Sequence, residues 1–151
     1  MTRMSEWYYN NEVIKDESQF PEGTLGFVYR ITRVRDGKMY IGKKLAYFEK
    51  VSVKTVTQKN GKKVKKKTRS LVPSDWKTYW SSSVDLCKAV KEEGESAFRR
   101  EILMFLPNRG SMGYYEARYQ MDERVLELGD KTWNGIVSCR VHWKHIKPPL
   151  K

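Results

Sequence analysis

Two runs of strand-forming residues, Gly26 to Ile31 (GFVYRI) and Lys38 to Ile41 (KMYI), flank the dipeptide Asp36-Gly37. An Asp-Gly pair suits the tight turn of a β-hairpin, because both residues accept the positive φ that such turns require. The chain is thereby committed to an antiparallel pair that carries Tyr29 on one strand and Tyr40 on the other. Farther on, Ser82 and Ser83 can cap a short helix that Gly94 ends, with Leu86 and Val90 facing inward. Residues 98 to 105 (FRREILMF) fit helix and strand almost equally by periodicity, and the early closure by Pro107 and Gly110 favours strand. In the next stretch, Tyr114, Ala117, Met121, Val125 and Leu128 share one helical stripe, while Glu116, Gln120, Glu123 and Glu127 share another. Residues 136 to 143 (IVSCRVHW) alternate like a last strand. This order implies an α+β fold with a small central mixed β-sheet flanked by helices.

The 151 residues suit one domain. Residues 1–22, polar and aromatic, read as an N-terminal arm with Trp7, Tyr8 and Tyr9 before Asn10-Asn11 and a turn at Phe20-Pro21-Glu22-Gly23. The arm is expected to pack on a domain spanning 23–147, which a basic insert at 50–72 interrupts. Within the insert, residues 50–69 (KVSVKTVTQKNGKKVKKKTR) hold nine Lys or Arg and no acid, with Asn60-Gly61 at the centre. A basic β-ribbon turning at Asn60-Gly61 and a solvated loop both fit, since the Lys-rich second limb is poor strand material. Either form sets a dense positive patch beside the hairpin.

Charge narrows the partner. Thirty Lys and Arg against 18 Asp and Glu give a net +12, which attracts polyanions and adds a salt-dependent phosphate-binding contribution. A ribosome-associated RNA-binding protein, or one lying on an anionic membrane, would carry the same excess, so charge alone names no reaction. No stretch approaches the roughly 18 apolar residues of a membrane span, and the N-terminus has no apolar signal core, so a cytoplasmic location is expected. Cys87 and Cys139 read as buried free thiols. With His142 and His145 they would number four zinc ligands, but strand alternation sets Cys139 and His142 on opposite faces.

The stretch GFVYRITRVRDGKMYIGKK resembles the opening of the GIY-YIG nuclease family, whose two tripeptides lie on neighbouring strands about ten residues apart. The first is altered here to Phe27-Val28-Tyr29, and the second stands intact as Tyr40-Ile41-Gly42. Then follow, in order, Ser74-Asp75-Trp76-Lys77, Tyr79, Ser81-Ser82, Gly94, Phe98, Glu101-Ile102-Leu103, Tyr115-Glu116-Ala117 and Asn134. The resemblance covers about residues 25 to 141 and is closest to the phage-encoded homing or nicking branch. It implies a metal-dependent DNA endonuclease acting on double-stranded DNA, with nicking of one strand and specificity from the insert, the arm, a homodimer or a protein partner. By the same resemblance Tyr40 acts as general base or orients it, Tyr29 is its hydrogen-bonded neighbour, and Glu116 holds one divalent ion, Mg2+ or Mn2+. Lys44 supports Tyr40, Arg69 takes the phosphate-binding arginine's place and Tyr79 the family's His/Tyr position. DNA contacts fall to Lys43, Lys63, Lys65, Lys66, Lys67 and Asn134. A phenol ordinarily near pKa 10 serves as a base only if Lys43, Lys44, an arginine or the metal and phosphate lower it.

Blander readings stand beside these. Tyr29 and Tyr40 fit as strand aromatics filling a core, Glu116 as one more acid on a solvated helix, and Asn134 as the turn residue of Trp133-Asn134-Gly135. Trp76, Tyr79 and Trp80 suit base stacking and core filling equally. A non-catalytic nucleic-acid-binding protein would keep the fold and charge without the chemistry.

Overall fold

A computed structural model describes residues 5–151. Strand β3 (Gly26–Arg33) pairs antiparallel with β4 (Met39–Leu45), and Gly37, at φ 78°, turns the chain between them. The other neighbour of β3 is β7 (Phe98–Leu106), again antiparallel, so the strand reading of residues 98 to 105 holds. The outer two places belong to the segment expected as an arm. Its β1 (Trp7–Tyr9) lies parallel to β7 and its β2 (Glu12–Ile14) turns back through Asn10 and Asn11, both with positive φ. Among the described residues the sheet thus has the order β2-β1-β7-β3-β4, mixed because of the one parallel pairing.

Alternation along β3 sends side chains to two cores. Phe27, Tyr29 and Ile31 join Trp7, Phe20, Trp76, Leu86, Phe98 and Phe105 beneath helix α1 (Val84–Glu93), while Val28 joins Ile41, Leu106, Met112 and Val125 beneath helix α2 (Arg109–Asp122). Trp76 is completely buried, which settles it as core rather than a base-stacking surface. Ser83 caps α1 by accepting from the Leu86 N–H at 3.3 Å, and Gly94 ends the helix at φ 90°. Arg100 is a buried cation between Trp7 and Trp80, and it donates to the carbonyls of Lys77, Tyr79 and Ser5 at 3.1, 2.8 and 2.5 Å. Burial pulls its pKa down to about 10, so it remains charged at neutral pH.

Three expectations need correction. The long helix begins earlier, capped by Asn108, and breaks at Arg124 (φ 56°) before the short α3 (Val125–Leu128). Its inward face is Met112, Gly113, Ala117 and Gln120, whereas Tyr114 and Met121 of the apolar stripe are exposed. Gln120 of the polar stripe turns inward because its target is polar: β4 is an edge strand whose outward Ile41 carbonyl needs a partner, while Ala117 and Val125 of the apolar stripe are buried as expected. Residues 136–143 form no strand, since side chains already occupy that edge. The segment instead crosses α2, where Asn108 donates to the His145 carbonyl at 2.8 Å. Both cysteines, expected as buried, are exposed, Cys87 on α1 and Cys139 in this segment, and among the described residues no three His, Cys, Asp or Glu gather.

The basic segment is a ribbon: β5 (Tyr47–Thr57) and β6 (Lys63–Pro73) pair antiparallel in a two-stranded sheet of their own, turning at Asn60-Gly61 with Gly61 at φ 80°. Among the described residues, no helix is long and apolar enough to cross a membrane.

Candidate active site

The polar chemistry gathers around Gly42 on edge strand β4. Gly42 faces Tyr29 across the β3–β4 pair, and Tyr40 lies two residues along on the same side, its ring centroid 6.2 Å from that of Tyr29. A Cβ on residue 42 would lie 2.5 Å from the Tyr29 Oη and 2.9 Å from the Tyr40 Cε1. Glycine is what lets the two tyrosines close over the strand. Gly42→Ala should therefore cost about 1–3 kcal/mol as the buried Tyr29 ring is forced aside, read as a fall of several degrees in Tm with loss of any cutting activity.

The outward edge of β4 is closed at Ile41 by two side chains. Asn134 accepts from the Ile41 N–H at 2.9 Å and donates to the Ile41 carbonyl at 2.8 Å, and Gln120 donates to that same carbonyl at 3.0 Å. Glu116 lies half-buried on α2, near enough to Lys43 to feel its charge and backbone N–H. Asn134 is buried with both ends of its amide engaged, which corrects its expected place at the DNA surface: it fixes the strand that carries Tyr40.

The tyrosines meet mainly through their rings. Tyr29 is buried, its ring edge-on to that of Tyr79 with centroids 5.9 Å apart. The Ser82 Oγ lies 3.1 Å from the Tyr40 Oη, with either hydroxyl able to donate. The Tyr40 hydroxyl thus takes Ser82 as its partner rather than Tyr29, whose ring lies beside its own. Ser82, expected as a helix cap, leaves that role to Ser83 and turns toward Tyr40, next to Ser81 at φ 103°. A serine beside a capping serine gives no signal of this use in sequence.

Burial raises all three phenols, Tyr29 most, and the Glu116 charge raises Tyr29 and Tyr40 further. Tyr40 is half-buried, and its bond to Ser82, in an exposed setting, opposes the rise. Burial also raises Glu116, and the Lys43 charge and N–H oppose it.

The expected cations are placed unequally. The Lys43 Nζ lies 3.5 Å from where a Gly113 Cβ would stand, one turn before Glu116. Lys44 does not approach Tyr40: its ammonium lies 4.2 Å from the Tyr79 ring centroid and 2.6 Å from Asp75. Arg69 travels outward with the ribbon, exposed and 3.4 Å from Glu49, about 13 Å along β6 from its base. It therefore does not join the tyrosines, because the insert that carries it folds as a separate sheet. Arg109, which sequence reasoning passed over, shares a pocket of about 260 Å³ with Lys43, Lys44, Leu45, Phe48 and Met112. Lys63, Lys65, Lys66 and Lys67 stand exposed along β6.

These features define an α+β domain whose acid, phenols and lysines meet at one edge of a five-stranded sheet. A family model described as "Putative endonuclease segE, GIY-YIG domain" matches residues 7–135. The chain belongs to the GIY-YIG nuclease family, and the match begins at β1, so the family's domain includes the strand first read as an arm. No curated protein and no solved structure matches.

Proposed function

We propose that this protein is a metal-dependent endonuclease that hydrolyses phosphodiester bonds in duplex DNA, one strand per active site. The observation that carries the reading is a Tyr40 hydroxyl held by Ser82 with the half-buried Glu116 carboxylate near enough for its charge to act on the Tyr40 phenol. Their donor set fits magnesium. A carboxylate where, among the described residues, no three His, Cys, Asp or Glu gather suits a hard cation that keeps most of its waters and takes its remaining oxygens from substrate. Bound there, the ion would polarise the phosphate and offset charge on the leaving oxygen.

The protein's own groups do the rest. Tyr40 orients the attacking water and, as the phenolate, accepts its proton at Oη to become the neutral phenol, and Ser82 holds that oxygen in place directly. No lysine bears on the Tyr40 phenol strongly enough to offset burial, so the positive charge that lowers its pKa comes with the ion and substrate. Lys43 and Arg109 are the cations nearest the Glu116 helix face and take the phosphate-contacting role first given to Arg69. With a single site per chain, supercoiled plasmid and magnesium should give open-circular product first. Plasmid that stays supercoiled across a range of magnesium and manganese concentrations would refute the reading.

The ribbon supplies affinity. Lys63, Lys65, Lys66 and Lys67 are exposed on β6, and neutralising all four should weaken binding to every duplex alike. The plot of log affinity against log salt should flatten by about 3 to 4 in slope, at roughly 0.9 for each phosphate left without its cation. A slope unchanged from wild type would take the ribbon off the DNA.

A further inference from the structure

Every residue from 48 to 71 is exposed, so the ribbon has no packed face. A lone two-stranded hairpin is marginal in water, and this one displays Val51, Val53, Val56 and Val64 as well. Its cover must suit nine cations against the single acid Glu49. The register distributes those charges: Lys63, Lys65, Lys67 and Arg69 share one face with Val51, Val53, Thr55 and Thr57, while Lys50, Lys54 and Lys66 lie on the other. An element that merely rested on a phosphate surface would need cations on one side. Cations on both sides suit an element set between two phosphate walls.

The dimensions agree with that setting. A duplex major groove, about 12 Å wide, admits a two-stranded ribbon. Strands of 11 residues extend about 36 Å, close to one turn of duplex. The ribbon is also rooted in the site. Strand β4 passes through Ala46 into β5, β6 passes into the Tyr79 segment, and the Ser74 N–H donates to the Ala46 carbonyl at 2.9 Å across the root. The Lys44 ammonium lies over both Phe48 at 5.1 Å and Tyr79 at 4.2 Å. Wherever the ribbon lies, the tyrosine cluster is held at its base.

We infer that the β5–β6 ribbon lies lengthwise in the major groove of duplex DNA, to one side of the active site, and sets how far along the duplex that site falls. The groove contact stands without the nuclease reading; only the link to a cut rests on it.

The test uses the full-length protein in chelator, with anisotropy on duplexes of stepped length. A variant lacking Lys54–Thr57 and Lys63–Lys66 removes four cross-strand pairs, keeps both faces in phase and retains the turn. For wild type, affinity should rise with duplex length to a plateau, and the shortened variant should reach its plateau about four base pairs sooner. Bulky groups linked to C5 of the pyrimidines fill the major groove and leave the backbone untouched, and they should weaken wild-type binding at least about tenfold. If the shortened chain fails to fold, the combination Lys63→Gln, Lys65→Gln, Lys67→Gln and Arg69→Gln, confined to exposed positions, should lose most of the sensitivity to C5 groups. An unchanged plateau length, or indifference to C5 groups, would overturn the inference, as would tighter binding to single strands than to duplex. Intact groove binding in a protein that never cuts plasmid with magnesium would leave this inference standing and remove the nuclease reading instead.

Discussion

Glu116→Gln should give a folded protein that binds duplex DNA almost as wild type does and cuts it at least about a thousandfold more slowly. The amide keeps the shape of the side chain, and the edge of β4 stays closed by Asn134 and Gln120. What disappears is the negative charge that the site offers a cation. A divalent ion at the transferring phosphate contributes several kcal/mol of transition-state stabilisation, and each 1.4 kcal/mol is about tenfold in rate. Wild type in chelator should fall by a similar factor. Because burial raises the Glu116 pKa, its charge is lost on acidification earlier than an ordinary carboxylate's. The acid limb of the cutting rate should accordingly lie above the usual glutamate range. Plasmid cleavage by Glu116→Gln at the wild-type rate, or with chelator present, would end the metal-dependent reading.

Tyr40→Phe separates chemistry from packing. If Tyr40 were a core aromatic, the missing hydroxyl would cost about 1 kcal/mol through its bond to Ser82, and activity would follow stability. If the phenolic oxygen handles the attacking water, its removal takes away about 10²- to 10⁴-fold of rate with Tm and DNA affinity near wild type. We expect the second result. Burial raises the phenol pKa, so the wild-type rate should climb as pH rises and the hydroxyl ionises, and the residual rate of Tyr40→Phe should lack that limb. A variant that nicks plasmid at near wild-type rate would remove Tyr40 from the mechanism.

The parts of the fold that were legible in sequence rest on local rules. Asp36-Gly37 marked the β3–β4 hairpin, Asn60-Gly61 a turn, and the Ser83 and Gly94 caps the limits of α1. Helix α2 was found, with Ala117 buried as expected, but Tyr114 and Met121 of the stripe face outward and Gln120 faces inward, because an amphipathic stripe assumes an apolar partner and part of what α2 covers is the backbone edge of β4. For the same reason the alternation of residues 136–143 predicted a strand: nothing in that pattern reports that Asn134 and Gln120 already hold the edge at Ile41. Strands β1 and β2 are three residues each, too short for periodicity to register. At the site, Tyr29, Tyr40, Tyr79 and Glu116 were legible through the order of motifs, and the structure brings them together. Ser82 and Arg109 were not, since their roles come from long-range contacts, and Arg69 was misplaced because chain order does not show how far a ribbon carries its residues.

Arg100 gives the first strand a stake in the chemistry. One guanidinium holds the carbonyl of Ser5 and that of Tyr79, so residues more than seventy positions apart in the chain share a single anchor. Shaving the chain back past Ser5 would strip a ligand from a cation that also sets the height of Tyr79 over Lys44 and Tyr29. The segment read from sequence as a packed arm is thus wired to the Tyr79 phenol, and damage to it would register as a defective enzyme as well as a less stable one.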